Sequence, residues 1–146
     1  MNALVEPGIE SVRSAVIELG QHIDAIEEAY EFMLAYAAQG RRDEREGRGP
    51  GIRHFLSRID VALGAVPNSA AAACCERGAK DCVSIVGLIA EDARKAQVLV
   101  RFALGRETIS SQLIDNLNAS IHLRALLMDL FVLDEALKPA PTADQA

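Results

Sequence analysis

Residues 9–37, IESVRSAVIELGQHIDAIEEAYEFMLAYA, place apolar side chains at Ile9, Val12, Val16, Leu19, Ile23, Ile26, Tyr30, Met33 and Ala37. The steps alternate between three and four without a break. That is the spacing of a heptad seam, and it predicts one long helix with one side to bury. Pro7 suits a first helical turn, where a missing N–H costs nothing, and Glu10 suits the positive end of the helix. This reading starts the helix at Pro7 or Gly8 and ends it near Gln39, before Gly40. At ~1.5 Å per residue such a rod is roughly 46 Å long. The rest of the chain reads as cover for its seam.

After it comes GRRDEREGRGPG, residues 40–51, with four Gly and one Pro. Nothing in it suits a core, and a flexible, solvated connector is expected. Ile52, Phe55, Leu56, Ile59, Leu63 and Val66 mark a short second helix, with Pro67 as its end. Asn68 or Ser69 then caps a third helix, with Gly78 as its weak point and Gly105 as its close. Its seam runs Cys82, Val86, Ile89, Ala93, Ala96, Val100, Ala103. Thr108 or Ser110 caps a fourth, reaching Leu137 or Lys138 before Pro139. Residues 126–133 of that helix are apolar on most sides, as in a helix that is central or shared with a second copy.

The expected fold is all-α: an antiparallel up-down four-helix bundle with three long helices and one short one. The short helix leaves one side incompletely covered, which self-association would complete. Residues 1–138 read as one domain, and residues 139–146 as a disordered tail. Half of the residues are apolar and six are aromatic, with no Trp, so small aliphatic side chains must fill the core.

The net charge of −6 is unevenly distributed. Glu6, Glu10, Glu18, Asp24, Glu27, Glu28 and Glu31 stand against Arg13 alone in residues 1–40, which accounts for the whole of it. This balance argues against nucleic acid as a partner. There is no secretory signal pattern and no apolar run of the roughly 20 residues that a membrane span requires. Three cysteines, odd in number and clustered, make no disulfide framework and suggest a reducing, cytoplasmic setting.

Three groups of residues are candidates for a site. Thiolates are preferred ligands of soft metals, so Cys74, Cys75 and Cys82 are candidate ligands. Cys75 and Cys82 lie seven residues apart, roughly 10 Å along one helix, so chelation needs help from another helix. Glu18 and His22, at i and i+4, share a helix face and could reach one metal together, with His122 as a partner from the fourth helix. His122 lies in a polar stripe with Asp115, Asn118 and Asp129. The Glu-x-x-His pairs of di-iron bundles and the Cys-x-x-Cys-His of c-type haem attachment are absent. Arg41, Arg42, Arg45 and Arg48 precede a helix start, where an anion or an acidic partner surface could bind. With Arg53 and Arg58 they could instead neutralise the acidic face of the first helix.

No P-loop, G-x-G-x-x-G or nucleophile with an adjacent base is present, and the paired acids Glu91-Asp92 and Asp134-Glu135 read as solvent-facing. The leading expectation is a non-enzymatic interaction or accessory module with no resident cofactor. It would self-associate, or bind a partner protein, through Leu126, Leu127, Leu130 and Phe131. A metal- or small-ligand-binding bundle is the alternative. An anion-responsive regulator or enzyme built on the arginine-rich loop is the third.

Overall fold

The computed structural model describes residues 14–45, 47 and 49–139. These form five helices: α1 (Ala15–Ala37), α2 (Ile52–Glu76), α3 (Cys82–Leu104), α4 (Ser111–Ala119) and α5 (Ile121–Leu137). Among the described residues there is no strand. The expected helix start at Pro7 or Gly8, the seam positions Ile9 and Val12, and the tail 140–146 lie outside the described residues.

α1 opens at Ser14, whose hydroxyl accepts from the N–H of Ile17 at 3.3 Å. Glu76, at the end of α2, completes the cap: it accepts from Ser14 Oγ at 2.7 Å and from Val16 N–H at 2.9 Å. Those two bonds hold its carboxyl below the usual range. The buried face of α1 is Leu19, Ile23, Ile26, Ala29, Met33 and Tyr36. Ala29 and Tyr36 replace Tyr30 and Ala37 of the strict heptad, because a straight helix drifts about 20° per heptad against a 3.5 repeat.

Helix α2 runs through Pro67, so the expected helix end there is incorrect. The reason is its seam. Ile52, Leu56, Ile59, Leu63, Val66, Ala70 and Ala73 are all buried, with steps 4, 3, 4, 3, 4, 3 across the proline. Tertiary burial of that continuous stripe outweighs the local loss of one helical hydrogen bond. Pro67→Ala would restore that bond, and a gain of about 1 kcal/mol is expected, less than the full propensity difference because a flexible unfolded chain is regained. A thermal melt checks this, and an unchanged or lower midpoint would refute it.

The break falls at Gly78, the weak point at which the third helix was open to a kink or a split. Arg77 closes α2 and Gly78 turns the chain at φ +61°, a left-handed conformation that glycine adopts without a side-chain penalty. The N–H groups of Gly78 and Ala79 donate to the carbonyls of Cys75 and Cys74 at 3.1 and 3.0 Å. The expected fourth helix is also divided. Ser120 is extended, at φ −64° and ψ 142°, between α4 and α5. The buried set steps from Asn118 to Leu123, a gap of five that a single helical seam does not carry.

Buried side chains from all five helices and from Ile109 form one contiguous core. α1 packs on α2, α2 on α3, α3 on α5 and α1 on α4, with only slight contact between α5 and α1 or α2. No helix among the described residues is long and apolar enough to cross a membrane.

Candidate functional site

The arginine-rich loop is pinned at its first half, rather than solvated throughout as expected. Ser111, nearly fully buried, is the anchor. Its N–H donates to the Arg41 carbonyl at 2.8 Å. Its hydroxyl accepts from Arg41 N–H at 2.8 Å and donates to the Tyr36 carbonyl at 2.7 Å. The Tyr36 hydroxyl donates to the Ile109 carbonyl. Burial, then the nearby Glu44 charge, pushes that phenol above its ordinary pKa.

Glu44 and Arg53 complete the junction. Glu44 accepts from Ile109 N–H at 2.8 Å and from Arg53 Nε at 2.7 Å. Burial opposes its charged form, but the backbone and Arg53 bonds outweigh burial and hold the carboxyl below its usual range. The Arg53 guanidinium also donates to the carbonyls of Leu104, Arg106 and Glu107 at 3.0, 2.7 and 3.0 Å. It thereby satisfies the orphan Leu104 carbonyl at the end of α3 and ties down the turn that follows. Arg58 meets Glu28 at 3.2 Å, so one of these arginines does neutralise a carboxylate of α1. Of the loop candidates, Arg41 lies over the Tyr36 ring at 5.7 Å, whereas Arg42 and Arg45 are exposed. Arg48 lies outside the described residues.

At the α2–α3 turn the structure gathers the cysteines. Cys74, Cys75 and Cys82 line one apolar cleft of about 370 Å³ with Ala71, Val83 and Val86. Cys74 is buried, Cys82 half-buried and Cys75 exposed, and all three are free thiols. The Gly78 turn brings Cys82, the first residue of α3, back beside Cys74 in the same cleft. Burial, then the neighbouring Cys82 thiol, pushes the Cys74 thiol up to about 12. The sequence reading placed all three on one helix; the turn puts Cys82 on another, which removes the distance problem along a shared axis.

The histidines regroup. His22 shares a groove of about 360 Å³ between α1 and α2 with His54, Ser57 and Arg58, and neither Glu18 nor His122 lines it. Among the described residues no three His, Cys, Asp or Glu side chains converge as a metal site. The expected stripe around His122 is cut by Ser120: Asp115 is exposed, while Asn118 is buried and donates to the Met33 carbonyl at 3.1 Å.

A carboxylate pair was missed. Asp92 on α3 is half-buried against Asp129 on α5, rather than solvent-facing as expected. Burial first, then the Asp92 carboxyl, pushes Asp129 up to about 7. Asp129 Oδ2 meets no protein donor while both groups are charged, so the bond to Asp92 exists only when one of them holds a proton. The sequence carried one signal for this: Asp129 is the one charged residue in the otherwise apolar run 125–133 of α5.

Of the expected interface residues, Leu126, Leu127 and Leu130 are at most 4% exposed and belong to the core of their own chain, which corrects that assignment. Phe131 is 39% exposed, and Ile121, Met128 and Val132, at 55–66%, are the apolar residues that α5 presents outward with it.

The chain matches no family model, no curated protein and no solved structure.

Proposed function

We propose that the chain is a non-enzymatic helical module that associates with a second copy of itself through the outer face of α5. The observation that carries this reading is that α5 is apolar on both sides. Its inner face fills the core, and its outer face presents Ile121, Met128, Phe131 and Val132. Arg124 and Glu135 are exposed on the same helix, towards opposite ends of that patch. Two α5 helices crossing antiparallel, with the two-fold axis between Met128 and Phe131, set Met128 against Phe131 and Arg124 against Glu135 of the other copy. A surface that complements itself in this way suits an isologous pair.

In this reading the five helices make an antiparallel up-down bundle of four rods, with α4 and α5 as the fourth. Bonds at both ends support it. Ser14 and Glu76 meet at one end. Arg53 and Leu104, with Arg41 and Ser111, meet at the other.

An interface of one helix per copy falls below roughly 1,200 Å² in total, in the weak or transient class. A dimer dissociating in the micromolar range is therefore expected. Sedimentation velocity from about 1 to 100 μM tests it. Met128→Glu should weaken association by about 30-fold or more, the weight of one central anchor, and leave the melt of the monomer unchanged. Arg124→Glu should weaken it, and adding Glu135→Arg should restore it. A monomer at every concentration, or a dimer indifferent to Met128→Glu, would sink the proposal.

A further inference from the structure

We propose that Cys74 and Cys82 form a two-coordinate site for a soft monovalent cation, Cu(I) in kind, at the junction of α2 and α3. The first argument is donor chemistry. The neighbouring Cys74 and Cys82 thiols line a cleft with Cys75, the Asp81 carboxylate and the apolar Ala71, Ala79, Val83 and Val86, so sulfur is the main donor atom it offers. Soft thiolate donors select Cu(I) among the common metals, together with zinc and iron–sulfur clusters. The second argument is donor number. Zinc and iron–sulfur sites require about four protein donors, or three with an open position. Cys75 and Asp81 border the cleft, but among the described residues no three His, Cys, Asp or Glu side chains converge as a metal site, and a two-sulfur site meets the demand of a d¹⁰ monovalent ion alone.

The third argument is electrostatic. Two thiolates around one monovalent cation leave a single negative charge, and both thiol protons pass to solvent. Cys82 is the first residue of α3, and its N-cap, Asp81, makes no side-chain cap bond. The open N–H groups and positive dipole of that helix start therefore lie beside the charged sulfur. Cys75 also borders the cleft, but it is exposed and about 100° round the helix from Cys74, so it stands outside the pair. The site involves α2 and α3 only and is independent of the α5 face.

The test is an anaerobic titration of the reduced, full-length protein with Cu(I), against the chromophoric chelator bicinchoninate. One Cu(I) per chain is expected, with two sulfur neighbours by X-ray absorption. Cys82→Ser, at a half-exposed helix start where folding is not at risk, should lower affinity by more than about 100-fold, beyond the cost of losing an outer-shell partner. Cys74→Ser should do the same with the helical circular dichroism unchanged, and Cys75→Ser should stay within about threefold of the parent. Failure to compete with the chelator would overturn the proposal. So would equal loss in Cys75→Ser, or half a copper per chain in a copper-dependent dimer, which would place the ion between exposed thiols of two copies.

Discussion

Arg53→Ala lowers the free energy of unfolding by about 1–3 kcal/mol, because several charge-assisted bonds end on one guanidinium and two of them, to Glu44 and to the Leu104 carbonyl, are partly shielded from water. One is the last carbonyl of α3, at Leu104, two are the carbonyls of Arg106 and Glu107 in the turn that follows, and one is the Glu44 carboxylate, whose side chain is only 17% exposed. Removing the cation strands a largely buried carboxylate, which is the costly half of any broken ion pair. It also frees the loop, since Glu44 is what holds the Ile109 N–H. Lysine should not rescue. A point charge cannot span three carbonyls and a carboxylate as a planar fork does. Urea unfolding followed by circular dichroism reads the result, with the midpoint falling at unchanged slope. A loss under about 0.5 kcal/mol would mean that water replaces the guanidinium without penalty.

The second large effect depends on pH and acts through Asp129. Its carboxyl is pushed from 3.8 up to about 7 in the folded chain, chiefly by burial and then by Asp92. Between those values the folded chain binds the extra proton, so stability falls as pH rises from about 4 to about 7 and levels off above. Holding that proton corresponds to a ceiling of about 4 kcal/mol. Solvent reaches the half-buried pair, and an effect of about 2 kcal/mol on stability is expected. Asp129→Asn keeps the neutral form at every pH and can donate to Asp92. The variant should match the parent near pH 4 and exceed it by that amount near pH 8. Paired denaturation curves at the two pH values test this. A variant no more stable than the parent at pH 8 would show that the pair carries no strain when both groups are charged.

The candidate sites were legible in uneven degree. Residue type alone singled out the cysteines, because three lie within nine positions. Their pairing was not legible, since it depends on Gly78 reversing the chain so that Cys82 returns against Cys74. The arginine-rich loop was visible as a charge cluster, yet the residue that holds most is Arg53, beyond the loop, acting on carbonyls about fifty residues away. Glu18 and His22 were grouped on the strength of a shared helical period, with His122 as a partner, and His22 shares a groove with His54 instead. Facing pairs across helices are set by rotation and register, and a period within one helix reports neither.

The all-α class, the buried faces of α1 and α3, and the caps at Ser14 and Ser110 follow from local rules. Of these, Ser14 was not singled out in advance, although a serine before an apolar run is a usual cap. Apolar spacing near 3.6 and capping hydroxyls are properties of neighbours in sequence, and they act before any tertiary contact exists. Continuity through Pro67 and the breaks at Gly78 and Ser120 were decided by the tertiary structure. At Pro67 the continuous stripe from Ile52 to Ala73 had a partner surface along its whole length, and burying it outweighed the broken backbone bond. At Ser120 the two stretches had different partners, α4 on α1 and α5 on α3. One straight rod could not bury both sets, and the helix divided where the buried positions lose step. A local penalty can be read from the sequence, but whether it prevails depends on the area buried elsewhere, and only the packed chain determines that area.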